Sequence, residues 1–64
     1  MKHFFRDKNF GVVFIGNNEA EALNVLQNDY GFDLEQILDL AIDGYVVEAK
    51  SLAQAKLIIK HPWV

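Results

Sequence analysis

The stretch KNFGVVFI, residues 8–15, decides the fold. Residues 2–6 and 10–15 are rich in Phe, Val and Ile, and the polar RDKN between them has the length and chemistry of a hairpin turn. The chain is therefore expected to open with two antiparallel strands. Within the second of them, Phe10, Val12 and Phe14 point one way while Val13 and Ile15 point the other, so both faces of this strand are apolar.

Working outward, Gly16 breaks the second strand and NNEAEALNVLQNDYG follows. Asn18 with Glu21 predicts a capping box, in which two side chains take up backbone donors left unpaired at the helix start. Ala22, Leu23, Leu26 and Tyr30 then form an apolar stripe at helical spacing, and Gly31 suits the stop. The same punctuation recurs at Asp33 with Gln36. There LEQILDLAID places Leu34, Ile37, Leu38, Ala41 and Ile42 on one face, expected to be the buried one, and Gly44 ends the helix. YVVEA, residues 45–49, reads as a third strand. Ser51 with Gln54 gives a third capping box, and a last helix runs from Leu52 toward Lys60 until Pro62 forbids continuation.

These elements compose a single small α/β domain over residues 1–64, of class α+β and order β-β-α-α-β-α. A crossover from the second strand to the third makes them parallel, with the first strand either between them or at the edge. The expectation is a three-stranded mixed sheet, the hairpin plus one strand, with helices packed mainly on one face. Residues 11–27 laid over 44–60 also show an internal echo, with Gly11/Gly44, Val13/Val46, Ala20/Ala53 and Ala22/Ala55 identical.

A chain of 64 residues buries only about 60% of the surface its unfolded form exposes. Five Phe, two Tyr and one Trp supply core material, but no cysteine is present to staple it. With both sheet faces apolar, surplus hydrophobic surface is expected, and with it a homodimer. Arg6, Asp7 and Lys8 interrupt the N-terminal apolar residues before a signal-peptide core forms, so the chain reads as cytosolic, with no membrane partner.

The net charge of −3 is mild, but its placement is uneven. Every Lys and Arg lies in residues 1–8 or 50–64, whereas residues 9–49 hold eight acids and no base. Glu35, Asp39 and Asp43 stand four apart on one helix face, an acidic ridge with no base at helical spacing to neutralise it. Such a ridge suits a basic protein partner.

The octet at residues 8–15 partly resembles the RNA-reading octamer of RNP-type domains, through Lys8, Phe10, Gly11 and Val13. It departs where the stacking chemistry lies, with Asn9 for glycine and Val12 and Ile15 for aromatics, and it names no family. A weak single-stranded nucleic-acid binder using Lys8, Phe10, Phe5 and Arg6 is the alternative function.

For catalysis the inventory is thin. Ser51 is the only Ser and is engaged as a cap, Thr and Cys are lacking, and His3 and His61 stand near opposite ends of the chain. No cofactor, no metal site and no enzyme activity are expected. Trp63 is assigned either to lid the core or to anchor a partner. The reading is a small regulator or inhibitor, of the kind a bacteriophage carries, that binds a partner protein through Glu35, Asp39, Asp43 and Trp63.

Overall fold

The computed structural model describes residues 1–60, folded as β1 (Lys2–Asp7), β2 (Gly11–Gly16), α1 (Glu19–Asn28), α2 (Leu34–Ile42), β3 (Val46–Ala49) and α3 (Leu52–Ile58). The hairpin closes as its sequence requires. Asp7 Oδ1 accepts the backbone N–H of Asn9 at 2.7 Å and that of Phe10 at 3.1 Å, a side chain standing in for a backbone turn.

The sheet order is β2-β1-β3. Both ladders are antiparallel, with Phe4 opposite Phe14 and Val47, and Phe5 opposite Val13 and Val46. This corrects the mixed sheet expected from sequence. β2 and β3 do run in the same direction, but β1 lies between them and pairs with each.

The helices pack mainly on one face, and the second face is covered as well. Phe5, Val13, Ile15 and Val46 on one sheet face pack against Ala22 and Leu26 of α1 and Ile37 of α2. Phe4, Val12, Val47 and Ala49 on the other face receive Ala55 of α3. Helices therefore cover both faces, two on one and one on the other. Small side chains explain how a seven-residue helix suffices, since Ala49 and Ala55 are fully buried and let α3 lie close to the sheet. Phe14 meets Phe4 edge-to-face at 5.8 Å and remains half exposed.

The three helix starts are built as the sequence directs, with one adjustment. Asp33 and Gln36 form the full reciprocal box. In α1 and α3 the cap side chain accepts from the third helical N–H, but the returning bond reaches one residue further back, from Asn17 N to Glu21 and from Lys50 N to Gln54. The two echoing segments thus share a capping variant while sending their helices to opposite faces.

Gly16 sits where α1 crosses the end of β2. A Cβ there would stand 2.6 Å from Glu21 Cβ and 2.8 Å from the Ala22 backbone nitrogen. Gly16→Ala is expected to cost about 2 kcal/mol by overpacking and to lower the melting temperature by roughly 10 °C. Thermal unfolding followed by circular dichroism checks this; an unchanged midpoint would mean that α1 does not approach β2 so closely. Among the described residues no helix is long and apolar enough to cross a membrane.

Candidate interaction surface

α2 carries six apolar residues in nine, more than one helix face can hold. It packs against β3 and α1 at the margin of the sheet, and only Ile37 is buried. Leu34, Leu38 and Ile42 are 55%, 60% and 81% exposed. The stripe expected to face the core therefore lies largely in solvent. The physical reason is position, because a marginal helix meets the sheet along one narrow line, through Ile37 and Leu40, and among the described residues little covers Leu34, Leu38 and Ile42.

Glu35, Asp39 and Asp43 are exposed, as the sequence reading placed them. Each follows directly after Leu34, Leu38 or Ile42, so the apolar row and the acidic row run side by side along α2. The acids bring a local cost. Like charges four apart repel by a few tenths of a kcal/mol, and Asp43 caps the C-terminal end of α2, where the helix dipole favours a cation. Glu35, in the first turn, is favoured by the dipole, but Asp39 and Asp43 are not.

Leu38 of the apolar row also lines a recess of about 210 Å³ between α1 and α2, floored by Leu26, Ile37 and Val46 and walled by Leu23, Leu38 and Ala41. Glu19 and Glu48 stand at its edge, with His3 Nε2 3.8 Å from Glu48 Oε1. The result is an apolar groove whose only acidic lining residues, among the described residues, are Glu19 and Glu48. The layer formed by α1 and α2 contains no base. Lys56 lies on α3, which packs on the opposite sheet face, whereas Lys60 donates its backbone N–H to Gly44 O just past α2 and holds its ammonium 5.8 Å from the Tyr45 ring centroid.

A second recess, about 550 Å³, is lined by Phe5, Asp7, Tyr30, Phe32, Leu40 and Tyr45 among others. Phe5 meets the Tyr30 and Phe32 rings edge-on at 5.0 and 5.8 Å, and those two rings stack on each other. Tyr30 hydrogen-bonds to Asp7, which already accepts from the Asn9 and Phe10 backbone. These bonds, the one from Tyr30 foremost, hold the Asp7 carboxyl below its ordinary range. Burial, the same bond and the Asp7 charge push the Tyr30 phenol up to about 12. Asp7 is thus engaged in structure and ties the hairpin turn to the α1–α2 connection.

The Tyr30 shift has a definite consequence. Its folded pKa lies above the unfolded value of about 10, so it favours the fold fully below pH 10, and this contribution disappears as pH rises through about 12. Denaturant unfolding at stepped alkaline pH should show stability falling across that window, and Tyr30→Phe should remove this component. A parent and a variant that decline in parallel would mean that Tyr30 is not coupled to folding.

The residues of the nucleic-acid alternative do not assemble. Phe5 is buried under α1, Arg6 alternates to the other sheet face and is half-buried, and only Lys8 and Phe10 are exposed at the hairpin turn. Trp63 and His61 lie outside the described residues. Among the described residues no three His, Asp or Glu side chains stand close enough to hold a metal ion. What sequence reasoning missed is the exposure of Leu34, Leu38 and Ile42, and its available signal was the excess apolar width of α2. No family model, no curated protein and no solved structure matches the chain.

Proposed function

We propose that this chain is a small non-enzymatic interaction module, a cytosolic regulator or inhibitor that acts by binding a partner protein along α2. One observation carries the reading: Leu34, Leu38 and Ile42 are exposed in a row directly beside Glu35, Asp39 and Asp43. The apolar row supplies area whose removal from water favours association, and the acidic row supplies orientation and partner choice. The partner's chemistry follows from both. It presents an apolar strip, most simply one face of a helix, flanked by Lys or Arg. The same surplus of apolar surface supports self-association.

The test is capture of the tagged protein's partners from the cytosol of its source, with and without nuclease, against the Glu35→Lys, Asp39→Lys, Asp43→Lys variant. The parent should retain a nuclease-resistant protein whose binding weakens with salt. The variant should bind that protein at least tenfold more weakly, about 1.4 kcal/mol or more. Binding and salt dependence unchanged in the variant would overturn the reading. Recovery of nucleic acid in place of a protein would return the function to the hairpin residues Lys8 and Phe10.

A further inference from the structure

The geometry points to a second copy of this chain as an occupant of the groove between α1 and α2, bound head-to-tail through its α3. The inference rests on the reading of the α1–α2 layer as a contact surface and names one of its ligands. α3 has the complementary chemistry. Leu57 is 85% exposed and Ile58 53% exposed, and the exposed Lys56 stands beside them, while Lys60, past the helix end, has its ammonium over the Tyr45 ring. An apolar knob with Lys56 beside it matches an apolar groove with Glu19 and Glu48 in its lining.

Topology forbids this pairing within one molecule. α3 lies on the sheet face opposite α1 and α2, so its knob and the groove of the same chain point away from each other. Symmetric alternatives are electrostatically poor. Two copies joined α3 to α3 would set Lys56 against its own equivalent, and two joined α2 to α2 would do the same with Glu35 and Asp39. The heterologous contact is the one that pairs unlike charges and buries both exposed apolar strips. Because each copy then keeps one free groove and one free knob, the contact repeats into short chains instead of closing at the homodimer expected from sequence.

Two variants at exposed positions isolate the two halves. Leu38→Arg places a cation on the groove wall, and Leu57→Glu places an anion on the knob. In sedimentation velocity the parent should gain mass beyond a dimer as concentration rises to high micromolar, and should lose that mass in high salt. Each variant alone should sediment as a monomer. An equimolar mixture should double in mass and stop there, since one variant contributes an intact groove and the other an intact knob. Self-association of the Leu57→Glu protein equal to that of the parent, or a mixture that stays monomeric, would overturn the head-to-tail contact. So would a parent that remains monomeric throughout. If such a protein still captures a partner that the Glu35, Asp39, Asp43 variant loses, the proposed function stands and only the self-contact fails.

Discussion

Leu26→Ala is expected to lower the unfolding free energy by about 3–4 kcal/mol, the cost of removing a buried leucine and leaving a cavity that its neighbours only partly fill. Leu26 is fully buried at the centre of the larger core, among Phe5, Ile15, Ala22 and Ile37. A chain of this length holds roughly 3–10 kcal/mol in total. The variant should therefore be partly unfolded at room temperature, with its melting temperature reduced by roughly 15 °C or more. Urea titration and thermal scans read this directly. A loss below about 1 kcal/mol would mean that the sheet, α1 and α2 do not share one core at this residue.

Asp7→Ala carries the second large effect, about 2 kcal/mol, because one carboxylate serves the hairpin turn and the Tyr30 hydroxyl together. Asn9 and Phe10 are exposed, so water takes over part of what their N–H groups lose. The pH dependence identifies the cause. The folded pKa of Asp7 lies below its unfolded value of about 3.9, so its contribution is present above that value and is lost as pH falls through the folded one. The stability gap between parent and Asp7→Ala should be constant near neutrality and close in acid. A gap independent of pH would assign the loss to packing.

Local chemistry was legible in the sequence. The hairpin, the three cap residues Asn18, Asp33 and Ser51, and the stop before Gly44 all rest on interactions between residues a few positions apart, and all form. Gly44 adopts the left-handed conformation, φ 89°, that ends a helix at low cost when no Cβ is present. The returning cap bonds of Glu21 and Gln54 reach one residue past their expected targets. That difference depends on where the preceding chain leaves the strand and not on the residue types.

Relations between distant segments were not legible. VVEA alternates Val46 and Glu48 on one face with Val47 and Ala49 on the other, and nothing in that pattern says on which face the following helix will lie. Ala49 and Ala55 mark the choice only once they are known to touch. The candidate site divides in the same way. The acidic ridge follows from spacing alone, so Glu35, Asp39 and Asp43 could be placed on one exposed face. The exposure of Leu34, Leu38 and Ile42 depends on α2 sitting at the sheet margin, a consequence of β1 occupying the middle.

The outer apolar row of α2 is what makes a binding surface of the acidic ridge beside it, and its freedom from the core can be measured without knowing any partner. The measurement is the unfolding free energy of the Leu38→Gln, Ile42→Gln protein by urea titration at low micromolar concentration. Stability within about 1 kcal/mol of the parent is the predicted result, since exposed sites tolerate such changes. A loss of several kcal/mol would place Leu38 and Ile42 inside the folding core and remove the surface on which the proposed function depends.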